Sequence, residues 1–148
     1  MIKDDLTLKG RLEIVVTSED GTVKQRESVD NLVVTTGKNF VASRMAGTSA
    51  SVMSHMAIGT GTTSPAAGDT TLGSESARVA LTSTTASDND VTYVATFSAG
   101  TPSSAAAITE AAIFNASSSG TMLCRTSFAQ INKCTSDSLS ISWVVSAS

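Results

Sequence analysis

The chain has 148 residues, a formal net charge of −3, and 41% hydrophobic but only 16% charged residues. Its length suits one domain with its own core, roughly 100–150 residues, while its charged fraction lies well below the ~25% of an average globular protein. Ser (24) and Thr (21) replace the missing charge, and five Lys and five Arg are scattered singly, which leaves no basic stripe to neutralise several phosphates at once.

The opening Met1-Ile2-Lys3-Asp4-Asp5 has no apolar segment behind a basic start. It reads as an N-terminal arm, 1–5, with Ile2 as its contact residue, and not as a secretory leader. No apolar run approaches the ~20 residues that span a bilayer. Nucleic acid and membrane are therefore not expected partners, and folding in a cytoplasm is. There Cys124 and Cys134, which fit neither a zinc spacing nor a disulfide framework, are expected as free thiols, Cys124 buried.

Leu8, Leu12, Ile14 and Val16 alternate with Arg11, Glu13 and Thr17, the period-2 mark of a half-buried strand. Glu19-Asp20-Gly21 turns the chain, Asp-Gly being a strong hairpin signal. A return strand over about Thr22–Val29 and a short strand at Leu32-Val33-Val34 follow. Phe40, Val41, Arg44 and Met45 have helical spacing. Thr35 or Thr36 can cap that helix, and Gly47 stands at its C′ position. About three turns long, it is expected to plug one end of a β structure.

His55 to Gly59 reads as a brief strand. It enters Gly59-Thr60-Gly61-Thr62-Thr63-Ser64-Pro65-Ala66-Ala67-Gly68, where few side chains can anchor a core. A long surface loop, 59–74, is expected, returning to the body through Leu72. Val79-Ala80-Leu81 starts the next strand, turned at Ser87-Asp88-Asn89-Asp90. Val91, Tyr93, Ala95 and Phe97 then alternate with Thr92, Val94, Thr96 and Ser98. Strands over Ala105–Asn115 and Thr121–Phe128 flank the turn 115–120. Leu139, Ile141, Trp143 and Val145 end the series, their alternation placing Trp143 in the core.

About eight strands with short turns and no solenoid repeat predict an all-β antiparallel sandwich, jelly-roll-like, with one short helix. The whole chain, 1–148, reads as one domain.

Catalytic groupings are hard to assemble. His55 is the only histidine, and no Gly-x-Ser-x-Gly elbow places a serine nucleophile. Asp88-Asn89-Asp90 starts like a calcium loop but lacks its glycine and distal glutamate. Gly59-Thr60-Gly61-Thr62-Thr63 lacks the lysine of a phosphate loop. No cofactor, metal or enzymatic activity is expected. Four charges invite a structural role. Glu75 and Arg78 sit three apart where the loop rejoins a strand; Glu110 lies in an apolar stretch, with Arg125 in the strand expected to pair with it. Either ion pairs among them fix loop or subunit geometry, or they are exposed pairs worth at most about 1 kcal/mol.

Two stretches carry a resemblance. The first runs from Met56-Ala57-Ile58-Gly59-Thr60-Gly61 through Pro65 to Leu72-Gly73-Ser74-Glu75-Ser76-Ala77-Arg78. The second runs from Glu110-Ala111-Ala112-Ile113-Phe114-Asn115 through Gly120-Thr121-Met122-Leu123-Cys124-Arg125-Thr126 and Lys133 to Asp137-Ser138-Leu139-Ser140-Ile141-Ser142-Trp143. In this order they resemble small structural virion proteins of tailed bacteriophages. The resemblance implies a β-sandwich virion component, assembled in the host cytoplasm, with no active site. A capsid decoration (cement) protein is the leading expectation, bound to the major capsid protein or other virion proteins and self-associating as a dimer or trimer. A tail, neck or fibre component is the alternative, although heptads and repeats are missing; a carbohydrate-binding attachment module ranks lower, since six aromatics mostly fall on core positions. The residues expected to make subunit contacts or fix the loop are Ile2, Gly59, Gly61, Pro65, Leu72, Glu75, Arg78, Glu110 and Arg125.

Overall fold

The computed structural model describes residues 6–48 and 50–148; the arm 1–5, and with it Ile2, lies outside the described residues. Strand β1 (Leu8–Thr17) turns into β2 (Val23–Val33), and helix α1 (Thr35–Met45) follows. Then come β3 (His55–Gly59), β4 (Glu75–Ala80), β5 (Ser83–Ser87) and β6 (Asp90–Phe97). The chain closes with β7 (Ala106–Phe114), β8 (Met122–Lys133) and β9 (Ser138–Ala147). All nine strands join one antiparallel sheet, in the order β4-β3-β7-β8-β2-β1-β9-β6-β5, curled into a half-barrel. The all-β class with one short helix holds.

One joint makes this a single sheet. β2 pairs with β8 only through Leu32–Arg125 and Val33–Cys124, whereas β1–β2 and β1–β9 pair along nearly their full lengths. Around that joint the two halves of the sheet face each other over one core, in which Leu12, Ile14, Met56, Ile58, Phe97, Ile113, Leu139 and Trp143 are at most 1% exposed. Trp143 donates its indole N–H to Asn31 Oδ1 at 3.0 Å, so its polar edge is satisfied where the ring is buried.

Several local expectations need correction. No threonine caps α1: the N-cap is Val34, with no side-chain cap bond. Val34 is fully buried and extended, which makes Thr35 and Thr36 the first helical residues. The Thr36 hydroxyl instead donates to the Met122 carbonyl at 2.9 Å, and the Thr35 amide to the Ala67 carbonyl at 2.8 Å. Gly47 does sit at C′ with φ +72°. Gly37 lets the helix touch β8, because a Cβ there would run into the Leu123 carbonyl. Of the apolar helix residues, Phe40 and Val41 pack on the core, but Met45 is 80% exposed.

Strand boundaries also shift. The two strands expected over 22–34 are one, β2, while the strand expected after Val79 breaks at Leu81-Thr82 into β4 and β5. The break lets the chain pass from one edge of the sheet to the other: the Leu81 amide bonds Ser54 in one half, the Thr82 amide Val94 in the other. β8 runs to Lys133, five residues past Phe128. Both cysteines are free, Cys124 buried and Cys134 exposed.

Candidate functional site

The outer surface of β3, β7 and β8 is where the two quoted stretches meet. In β7 the ladder to β8 slips between Ile108 and Glu110. Two residues apart on a regular strand, both would face the same way. The slip turns Ile108 into the main core and leaves Glu110, Ala112 and Phe114 on the outer side. The loop 60–74 lies over that side, and Leu72, 6% exposed, packs with Val34, Ala57, Ala112, Phe114 and Met122 in a second apolar cluster.

Glu110 holds the loop by its backbone. Its carboxylate, 0% exposed, accepts hydrogen bonds from the amides of Gly61 (2.6 Å), Gly73 (2.7 Å) and Ser74 (2.8 Å), and from Arg125 Nη2 (2.9 Å). Arg125, 2% exposed, reaches on to the Thr63 carbonyl (2.9 Å) and to Asp69 Oδ2 (2.7 Å), which also accepts the Ala66 amide (2.8 Å). Both ends of the loop and its crest thus converge on one buried ion pair. The close approach demands glycine twice: a Cβ at Gly61 would strike the Glu110 carboxylate, and one at Gly59 would strike first the Ser74 carbonyl and then Glu110.

Glu75 and Arg78 make a separate clamp. Arg78 grips Glu75 through Nη2 (2.7 Å) and Nε (3.1 Å), donates through Nη1 to the carbonyls of Ala116 (3.0 Å) and Ser119 (2.9 Å), and lies 3.7 Å over the Phe114 ring. It pins the 115–120 turn to β4. Sequence reasoning therefore names both pairs, but the structure does not bring them into one cluster. Pro65 is half-buried in the loop crest and Gly59 ends β3. Asp69 was missed; the signal was its position as the sole charge between Gly59 and Gly73. A third tie, also unread, joins β2 to the β8–β9 turn: Lys24 Nζ lies 2.6 Å from Asp137 Oδ2, which accepts the Cys134 amide at 2.8 Å.

Burial alone would raise the pKa of Glu110, but the amides of Ser74 and Gly73, Arg125 and the Gly61 amide outweigh it, leaving the carboxyl below its ordinary value. Asp69 is likewise lowered, since the Ala66 amide and Arg125 overcome its desolvation. A carboxylate depressed in the folded state stabilises fully above its unfolded pKa, about 4.3 for Glu and 3.9 for Asp, and that stabilisation fades as pH falls through the folded value. Thermal stability is thus expected to be flat above about pH 5 and to fall below about pH 4. The amide proton shifts of Gly61 and Gly73 should titrate together there, below the ordinary glutamate pKa; titration at or above it would contradict the buried staple.

His55 bonds through Nδ1 to the Ser54 hydroxyl (2.8 Å), and no carboxylate hydrogen-bonds its ring among the described residues. Among those residues, too, no three His, Cys, Asp or Glu side chains are placed to hold a metal ion, and no helix is long and apolar enough to cross a membrane. A trough of about 630 Å³ opens on the outer side of β9, β1 and β2, bordered by Arg11, Asp30, Val144 and, from α1, Lys38. Comparison of the chain with protein-family models, curated proteins and solved structures finds no match.

Proposed function

We propose that this is a non-enzymatic structural protein of a tailed-phage particle, and specifically a capsid decoration protein that binds and stabilises the shell. The observation that carries the reading is the Glu110–Arg125 staple. The residues quoted for the resemblance, one set from 56–78 and the other from 110–125, meet there to fix one loop. The buried Glu110 and Arg125 are bonded to each other and to the loop backbone, which is a way to hold a contact surface rigid before a partner arrives. Preformed contact loops bind with less ordering cost. The crest of this loop presents Thr62, Thr63, Ser64 and Thr70 to solvent, polar groups that add little desolvation cost and are suited to repeated weak contacts multiplied by copy number. Capsid subunits and further copies of this chain are the partners the reading names.

The alternative placement, in the tail, neck or a fibre, is separated by stoichiometry. Quantitative mass spectrometry of purified particles should find this chain in copy numbers comparable to the major capsid protein. A handful of copies would move it to the tail, and absence from particles would end the virion reading. Arginines introduced at the crest, Thr62→Arg with Ser64→Arg, should leave unfolding free energy within about 0.5 kcal/mol while abolishing recovery on particles in a pelleting assay. Undiminished pelleting would remove the loop from the contact surface.

A further inference from the structure

The sheet has two free edges, β4 and β5, and the chain guards only one of them. β4 carries Glu75 and Arg78 and meets β3 through a shifted register at Ile58–Gly59; charges and bulges are what keep an edge from pairing with other chains. β5, Ser83-Thr84-Thr85-Ala86-Ser87, has neither. No residue from Val79 to Ser87 is charged, none is proline, and the pairing of β5 with β6 is regular from end to end. We propose that β5 is a self-pairing edge: a second copy of this chain adds its own β5 antiparallel, about a two-fold axis at Thr85, and the sheet continues from one protomer into the next. This gives a place to the self-association named in the proposed function, but its test needs no virion.

The strand's own order selects a second copy as its partner. Ser-Thr-Thr-Ala-Ser reads nearly the same in both directions, so the two-fold sets Ser83 opposite Ser87, Thr84 opposite Ala86 and Thr85 opposite itself. The register with β6 puts Thr84 and Ala86 on the inner side, beside Tyr93 and Val91, and Ser83, Thr85 and Ser87 on the outer side. Each cross-strand pair therefore meets on one side of the sheet, hydroxyl to hydroxyl outside and methyl to methyl inside. A two-fold contact must be complementary to itself. Hydroxyls satisfy that condition, since each both donates and accepts, and Thr opposite Thr is a favourable cross-strand pair. No charge meets its like.

Access to the edge is open. The far edge of the sheet, β4, folds back toward β6, and all five residues of β5 stay exposed, Thr84 and Ala86 of the inner side included. Alternate residues of β5 turn their N–H and C=O groups away from β6, enough for about four to six hydrogen bonds between two copies. Pairing uses up this edge, and the guarded β4 ends the sheet on the other side, so association stops at two copies instead of growing into a fibre. A ribbon of five residues buries less than the ~1,200 Å² of a stable complex. The contact is therefore weak in free solution, and copies held side by side on one surface strengthen it through effective concentration.

Sedimentation equilibrium of the full chain, carried up to about 1 mM, tests this. The wild type should dimerise reversibly, and hydrogen exchange at the β5 amides should slow as the dimer forms. Thr85→Lys and Thr85→Glu each put like charges on the axis. Each should weaken the dimer at least tenfold, by about 1.4 kcal/mol, with an unchanged melting temperature because residue 85 is exposed. An equal mixture of the two variants should pair again, since residue 85 meets its own counterpart. A monomer throughout the range, a dimer indifferent to both substitutions, or a mixture no tighter than either variant alone would each overturn the edge pairing. Protection of the β5 amides that arises only on particles would also overturn it, and would give the edge to a capsid strand. None of these results alters the copy number found in particles, so the virion reading stands or falls separately.

Discussion

Replacing Arg125 with methionine is expected to lower the unfolding midpoint by roughly 10 °C, the loss of about 3 kcal/mol in a chain of this size. Methionine keeps most of the aliphatic stem, so the loss reads the charge. Glu110 would stay at 0% exposure with its three backbone amides but without its cation. Removing one partner of a buried pair leaves the other uncompensated, and that costs far more than an exposed pair is worth. Asp69 and the Thr63 carbonyl lose their donor as well. Calorimetry gives the midpoint, and limited proteolysis should show faster cleavage within 60–74. A cycle with Glu110→Gln should reveal coupling above about 1 kcal/mol between the two residues. A midpoint moved by less than about 2 °C, with unchanged cleavage, would mean that the staple does not hold the loop.

Trp143→Ala should be the most damaging single change in the core, at about 3–5 kcal/mol. The ring has no exposed surface and sits in the central part of β9 between β1 and β6. Truncation opens a large cavity and also strips Asn31 Oδ1 of its indole donor, and a polar group that loses its partner costs further stability. Trp143→Phe separates these effects: it keeps much of the volume and loses the hydrogen bond, so roughly 1–3 kcal/mol is expected. Urea unfolding with unchanged slope reads both. Equal losses for the two variants would show that the hydrogen bond, and not the volume, dominates. A buried Trp143 cannot serve as a sugar platform, so the attachment-module alternative would need another aromatic. Tyr93, Phe97 and Phe114 are themselves at most 8% exposed.

Both experiments probe features that were unequally visible beforehand. Alternation placed Trp143 and its neighbours in the core because a strand's two sides repeat every two residues, a property readable within ten residues of sequence. The pairing of Glu110's strand with Arg125's was readable too, as consecutive strands around a short turn. What the pair does was not, because its other partners are main-chain amides from residues as many as 49 positions away. Backbone groups carry no sequence signature. Asp69 was passed over for the same reason, being an isolated charge in a loop whose course is set from outside it.

By itself, then, the order of residues determines the strand alternations, the Asp20-Gly21 hairpin, the stop of α1 at Gly47 and the burial of Leu72 and Trp143. Each is decided by short-range steric and hydrophobic rules acting on near neighbours. Tertiary structure alone decided three things: that the slip at Ile108–Glu110 turns the glutamate outward, that a two-pair joint between β2 and β8 makes one continuous sheet, and that the glycine-rich loop lies flat against it. The slip and the joint are matters of register between distant segments, and the loop's path depends on donors and acceptors that only the assembled sheet brings within 3 Å.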